Sequence, residues 1–352
     1  MKTHNLKTLL LIILLSVFYL PVLAEEHNEE GHEEEEFNAS SFILDHITDS
    51  HEWHLLTKNG KSVSIYLPVI VFSKEKGLSL FSSKRLSHGH EYMGYRIEEE
   101  GDYKGKIVTV DENGNIDEKN IPLDFSVTKA VAGMFFAALL GLWLFLSLSR
   151  SYKKSGISHP RGIQSFLEPI VLFIRDEIAI PNIGHHKFEK FMPYLLSVFF
   201  FILINNIMGL VPFPPPFGAN VTGNIAVTIT LALFTFFIIQ INGTRTYWKH
   251  IFSTPGVPFW LLPIMIPVEF IGIIAKPFAL MVRLFANITG GHIIVLSLIG
   301  LIFIFKSVLI APVSILFVIF MDCLELLVAF LQAYIFTLLS ALFISLAVQE
   351  NH

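Results

Sequence analysis

The chain has 352 residues, of which 53% are hydrophobic and 33 are phenylalanine, and its mean hydropathy is +0.59. Charged residues make up 16% of the chain, against about 25% in soluble domains, so the composition excludes a soluble globular protein and indicates an integral membrane protein. The net charge of −5 comes mainly from an acidic stretch between residues 25 and 52, and the single cysteine, Cys323, excludes an intramolecular disulfide and a Cys-based metal cluster.

Two segments at the N-terminus are expected to lie outside any folded domain. Lys2 and Lys7, an apolar stretch and the small-residue motif at 22–24 predict a signal peptide over residues 1–24, with a retained membrane anchor as the alternative. Residues 25–36 are acidic and low in complexity, which predicts disorder. We expect the export signal to place the following domain outside the cytoplasm of a bacterial cell.

Residues 37–123 are predicted to form a small β-containing extramembrane domain. Ser62–Phe72 alternates and is rich in β-branched residues, which favours a strand. Lys106–Val110 is a second strand candidate, followed by a turn at 111–115. The predicted fold is therefore an all-α polytopic membrane protein that carries this small domain at its N-terminus.

The membrane domain, predicted over residues 124–352, begins with three apolar segments of ordinary length. Their lengths are all close to the roughly 20 residues that a spanning helix needs. These segments are Val127–Leu148, Met192–Val211 and Asn224–Ile241. Basic residues follow the first and third segments, which places those ends in the cytoplasm by the positive-inside rule: Arg150, Lys153, Lys154, Arg161, Arg245 and Lys249. Between the first two, Ile163–Ile180 mixes apolar and charged residues and predicts an amphipathic helix along the membrane surface.

Two apolar runs of unusual length complete the chain, Phe259–Lys306 and Pro312–Val348. As continuous helices they would be about 70 and 55 Å long, against about 30 Å of hydrocarbon. Dividing the first run into two ordinary spans would require a turn near Lys276–Pro277, where there is no polar loop. We therefore expect two long, strongly tilted helices joined in a hairpin around Lys306–Pro312, making about five membrane helices in all.

Arg283 carries a permanent positive charge within the apolar stretch Pro277–Phe305. Such a charge costs roughly 2.5–3.5 kcal/mol on insertion scales, and ionisable residues at this depth usually mark an ion path. At 100° per residue, Glu269 and Asn287 share a face with Arg283, whereas His292 lies on the opposite face. The alternative is an arginine that snorkels or pairs within a bundle.

On the second run, Glu325 and Gln332 are seven residues apart and share a face, with Asp322 close by. His292 can therefore point at Glu325 while Arg283 points at another partner. A carboxylate and an imidazole are the groups of a proton relay. A hydrogen-bonded pair that only holds two helices together is equally compatible with the sequence.

Lys276–Ile293, with the sequence KPFALMVRLFANITGGHI, and Leu331–Phe336, with LQAYIF, resemble the a subunit of F-type ATP synthases. The resemblance covers roughly residues 125–350 and includes the Asn205-Asn206-x-x-Gly-Leu-x-Pro stretch. It implies a proton-translocating stator subunit that works against a rotating ring of c subunits. The extension at 25–123 is not found in shorter family members.

The resemblance also implies roles for six residues. Arg283 matches the essential arginine that faces the ring and separates two half-channels. Four residues match the inlet half-channel, and Glu269 matches an acidic position on the cytoplasmic outlet; the four are Asn287, His292, Glu325 and Gln332. The histidine and glutamate positions are exchanged relative to the commonest bacterial pattern, which preserves one imidazole and one carboxylate.

The expected setting is a multi-pass protein of the bacterial inner membrane, with a periplasmic N-terminal domain and a cytoplasmic C-terminus. Its expected partners are the c ring, the b-subunit peripheral stalk, other synthase subunits and lipid. We expect no nucleic acid, nucleotide, metal or cofactor on this chain.

Two other functions remain open from the residues alone. A secondary transporter could use Arg283 to hold an anionic substrate, but the polar residues are few for a substrate pocket. A metal-cation channel fed by the acidic segment would have to pass a permanent positive charge.

Overall fold

The computed structural model describes residues 43–44, 47–58, 61–99, 101–111, 114–155, 162–211, 214–253, 257–305 and 310–349. The predicted signal peptide and the predicted disordered segment at 25–36 lie outside these residues. Within the described part of the chain, short strands come first and helices follow.

The N-terminal part is a small unit of antiparallel strands, which we call the β unit (residues 47–124). Its strands are β1 Glu52–Lys58, β2 Lys61–Tyr66, β3 Pro68–Ser73, β4 Gly77–Ser82, β5 Tyr95–Ile97, β6 Ile107–Thr109 and β7 Leu123–Asp124. β1 pairs with β2, β3 lies between β4 and β7, and β5 pairs with β6. Alternate β3 residues, Val69 and Val71, point into a core with Leu86 and Tyr95.

The prediction of one strand over Ser62–Phe72 is wrong. The structure divides this segment into β2 and β3, with Leu67 between them. Pro68 has no backbone N–H and cannot continue the ladder with β1, so the chain passes into a second sheet. The strand expected at Lys106–Val110 is confirmed as β6, and the turn after it is closed by a bond from the Gly114 N–H to the Asp111 carbonyl of 3.1 Å.

The helices follow the predicted order. They are α1 Lys129–Ser155, α2 Ile163–Phe173, a π-helical turn Ile174–Ala179, α3 Ile180–Ile183, α4 Phe188–Leu210, α5 Ile225–Asn242, α6 Arg245–Phe252, α7 Leu262–Phe305 and α8 Ala311–Val348. Among the described residues, five helices are long and apolar enough to cross a membrane: those containing α1, α4, α5, α7 and α8.

The segment expected along the membrane surface forms α2 and the π-helical turn. One side of it is buried against the other helices through Leu167, Ile174 and Ile178. Arg175 lies on the other side and makes two hydrogen bonds to Asp176, of 2.7 and 3.1 Å. The amphipathic character is therefore present, and its apolar face covers protein.

α7 is one continuous helix of 44 residues that includes Pro267 and Pro277. The alternative with a turn near Lys276–Pro277 is therefore wrong, and the two-long-helix prediction is confirmed. α8 packs along α7 and α4, and small side chains such as Ala329 and Ala333 are buried on it. Ser314 donates a hydrogen bond to the Leu298 carbonyl and holds the end of α7 against the beginning of α8.

Candidate functional site

A half-buried imidazole and a buried carboxylate meet between the two long helices. His292 Nδ1 lies 3.9 Å from Glu325 Oε2, and the two side chains are 20% and 10% exposed. The pairing predicted from helix geometry is confirmed. A displacement of about 1 Å would bring the two atoms within hydrogen-bond range, so the pair has the geometry to exchange a proton directly or through one water.

Two glycines lie beside this pair, and one of them, Gly291, leaves the space that the Glu325 carboxyl group occupies. A Cβ on Gly291 would lie 2.5 Å from Glu325 Oε1, so the carboxyl group packs directly on the backbone of α7. A Cβ on Gly209 of α4 would lie 3.7 Å from His292 Nε2. Neither glycine was predicted as a site residue, although the Gly-Gly pair before His292 was a signal that a neighbour approaches closely.

Buried polar groups connect the loop before α5 with the region around Glu325. Thr222 Oγ1 donates to Asn206 Oδ1 at 2.6 Å, and Asn206 Nδ2 donates to the Ala329 carbonyl at 3.1 Å. Ala329 is one turn beyond Glu325 on α8, and Gln332 is buried further along the same face. Asn206 was not predicted as a site residue, although two adjacent amides in an apolar helix were a usable signal.

Arg283 and Asn287 lie one turn apart on α7, and both side chains are exposed on the surface of this chain. They point away from the His292–Glu325 pair, as the helix angles predicted. Among the described residues, Arg283 has neither an ion-pair nor a hydrogen-bond partner. The charge is therefore presented outward, where a partner subunit could meet it.

Glu269 lies near the beginning of α7, about 21 Å along the helix from Arg283 by the standard rise. Its Oε1 lies 3.9 Å from His250 Nδ1 on α6. His250 was not predicted, because the short helix that carries it has no long-range signal in the sequence. A second imidazole–carboxylate pair thus lies at the opposite end of the site.

A family model matches nearly all of the helical part of the chain. The model described as "ATP synthase A chain" matches residues 131–345. The chain belongs to this family. Within the ATP synthase A chain family, similar proteins include "ATP synthase subunit a" of Chloroherpeton thalassium, 50% identical over 236 residues, which cover 65% of this chain and 69% of the relative. The protein of the same name from Myxococcus xanthus is 48% identical over 237 residues, or 65% and 75% of the two chains.

The β unit stands apart in these comparisons. Residues 42–125 match a separate model, "Domain of unknown function (DUF8433)". This member of the ATP synthase A chain family therefore combines a family-typical helical part with a unit whose role its match does not name. No group of three metal-ligating side chains occurs among the described residues.

Proposed function

We propose that this chain is the proton-translocating stator subunit of an F-type ATP synthase. The observation that carries the proposal is the arrangement on α7: Arg283 faces outward, and nine residues later His292 meets Glu325 inside the bundle. One helix thus separates a fixed charge from a pair that can load and release protons.

Protons reach the c ring from the periplasm through an inlet half-channel. Asn287, His292, Glu325 and Gln332 belong to this half-channel, and His292 and Glu325 pass the proton to a ring carboxylate. Neutralising that carboxylate lets it rotate into lipid, where an ionised carboxylate would be costly.

Arg283 separates the two half-channels. Its guanidinium attracts the returning ring carboxylate in ionised form, which promotes release of the proton toward Glu269 and the cytoplasm. The same charge repels protons and blocks a direct leak between the half-channels. Each proton that crosses 100 mV supplies about 2.3 kcal/mol to rotation.

The long helices lie strongly tilted against the ring. With 44 residues, α7 is about 66 Å long, which is roughly twice the hydrocarbon thickness, so a strong tilt keeps it within the bilayer.

The domain order is a signal peptide at 1–24, a disordered acidic segment at 25–36, a periplasmic domain at 37–123 and a membrane domain at 124–352. The C-terminus is cytoplasmic, and the peripheral stalk includes the b subunits.

The test is ATP-driven proton pumping into inverted membrane vesicles, which is measured as quenching of a pH-sensitive dye. Arg283→Ala should abolish pumping because no fixed charge would then separate the half-channels. Lys276→Ala is the matched control, since it removes a cation from the same face of α7 two turns away. We expect it to retain most of the pumping.

Assembly of each variant is checked by the amount of synthase in the vesicles. Wild-type pumping by assembled Arg283→Ala would contradict the proposal and return the transporter interpretation to first place. An equal loss in both variants would show that any cation on this face is needed, which also contradicts the role given to Arg283.

A further inference from the structure

A cavity of about 330 Å³ lies where the β unit meets the helices. Four parts of the chain line it: the segment before β1, the first turn of α1, the loop before α5 and one face of α7. Its polar lining residues are Thr48, Asp49, Lys129, Asn220, Asn224 and Thr289. Apolar side chains, among them Ile47, Ile225 and Phe285, line the rest. A cavity of this size with polar groups on its walls has room for several water molecules.

The β unit is fixed over this cavity by specific contacts. Trp53 packs on Ala219 and Val221, and its indole N–H donates to the Phe217 carbonyl at 3.2 Å. Asp49 Oδ1 accepts a 3.0 Å hydrogen bond from the N–H of Ala130, in the first turn of α1. The segment before β1 covers the cavity, and we call it the roof. It is therefore anchored both to the loop before α5 and to α1.

The floor of the cavity is on the face of α7 that carries His292. Thr289 precedes His292 by three residues, and Phe285, which also lines the cavity, precedes Thr289 by four. Residues at these spacings are neighbours on one helix face. Water at Thr289 would thus be one turn from the imidazole.

The lining also carries charge. An acidic side chain, Asp49, and a basic one, Lys129 at the start of α1, both line the cavity. Opposite charges around a small space keep it hydrated, because the charged groups bind water strongly. A purely apolar contact between the β unit and the helices would not need water between them.

From these observations we propose that the β unit roofs an aqueous vestibule, through which protons from outside reach His292. The proposal rests on the proposed function for the identity of the ion. It assigns the β unit a direct part in the inlet: residues 47–53 form the outer wall, and Asp49 supplies a carboxylate at its mouth.

The test measures water access at Thr289 in the assembled complex. Cys323 is exposed, so it is first replaced by Ser. Thr289→Cys is then treated, in right-side-out vesicles, with a membrane-impermeant cationic methanethiosulfonate. We expect it to react at least tenfold faster than Leu280→Cys, a buried position on the same helix. Phe285→Cys is the second reporter, in case Thr289→Cys does not assemble.

The role of the roof is tested by filling the cavity with a large side chain. Thr48 is exposed and lines the cavity, so Thr48→Trp should slow labelling at Thr289→Cys at least fivefold and lower passive proton conduction in parallel. Leu78→Trp is the control, because Leu78 is 69% exposed on β4 and does not line the cavity. Labelling no faster than at Leu280→Cys, or equal labelling with either tryptophan, would overturn the proposal.

The labelling does not depend on proton pumping. It is repeated with Arg283→Ala present, where we expect an unchanged rate. If Arg283→Ala keeps pumping while Thr289→Cys remains accessible, the proposed function fails and the water-filled vestibule stands. If the reporters are inaccessible while Arg283→Ala abolishes pumping, the vestibule alone fails.

Discussion

The position of the Glu325 carboxyl group depends on a residue that carries no side chain. Gly291, which immediately precedes His292 in the sequence, lets the carboxyl group lie against the backbone of α7. Glu325 Oε1 is buried and has no hydrogen-bond partner among the described residues. A buried acceptor of this kind is costly unless a proton or water reaches it, which fits a group that is repeatedly loaded and unloaded.

We expect Gly291→Ala to reduce ATP-driven proton pumping severalfold. The new Cβ would be 2.5 Å from Glu325 Oε1 and 2.9 Å from its Cδ, so the carboxyl group must move. Gly290→Ala is the matched control, since a Cβ there meets nothing within 4 Å and the change in helix propensity is the same. Dye quenching in inverted vesicles measures both.

A shorter acid separates this effect from general damage. Adding Glu325→Asp to Gly291→Ala withdraws the carboxyl group from the new methyl, and we expect part of the pumping to return. Equal pumping by the two alanine variants would show that the position of the Glu325 carboxyl group does not limit proton flux.

The sequence located those site residues whose signal is local. Arg283 and His292 are the ionisable side chains of a long apolar run, so composition and helix angle were enough to find them and to separate their faces. Gly291 and His250 were not found in this way. The Gly-Gly pair before His292 signals a close neighbour, but one helix pattern does not say which residue of another helix lies opposite.

At the scale of elements, length and periodicity predicted the long helices well but the β unit poorly. α7 and α8 are so apolar that no turn could interrupt them without exposing backbone polar groups in the bilayer. The β strands are short, and their pairing depends on contacts distant in sequence. β3, for example, pairs with both β4 and β7, and the residues from 74 to 122 separate it from β7.

β7 is held through Asp124, which predicts how the β unit responds to acid. Asp124 Oδ2 lies 3.2 Å from His51 Nε2, and Oδ1 accepts from the Ser126 N–H at 2.8 Å. Burial alone would raise the pKa of the Asp124 carboxyl group, but the hydrogen bonds from His51 and Ser126 outweigh it and lower the pKa below 3.8. The stabilisation is therefore complete above about pH 5 and is lost as the pH falls through the lowered value.

We expect hydrogen exchange to detect this loss in the whole complex. The amide of Phe125, bonded to the Ile70 carbonyl at 2.8 Å, should lose protection below pH 4, after correction for the intrinsic exchange rate. Asp124→Asn should weaken protection at neutral pH and remove its acid dependence. Asp102→Asn, at an exposed carboxylate of the same unit, is the control. Unchanged acid dependence in Asp124→Asn would show that another group is responsible.

In the molecule as a whole, long stretches of the two longest helices are uncovered. In the most apolar windows of α7 and α8, only 6% and 11% of residues are buried, against 50% in α4. α4 is therefore the more internal helix, whereas these stretches of α7 and α8 present a surface that lipid or other subunits must cover. Arg283 and Asn287 lie on that surface, and a lone guanidinium facing only lipid would be costly.

The surface around Arg283 should therefore meet the c ring. A photoreactive amino acid at Asn287 is expected to give an adduct larger by one small c subunit, because Asn287 is exposed one turn from Arg283. Ile229 is the control: it is 45% exposed on α5, another helix of the same membrane part. Mass spectrometry of the illuminated membranes identifies the adducts. A c-subunit adduct from Ile229 and none from Asn287 would place the ring on a different face and would separate Arg283 from the rotor, so the charge could no longer act on a ring carboxylate.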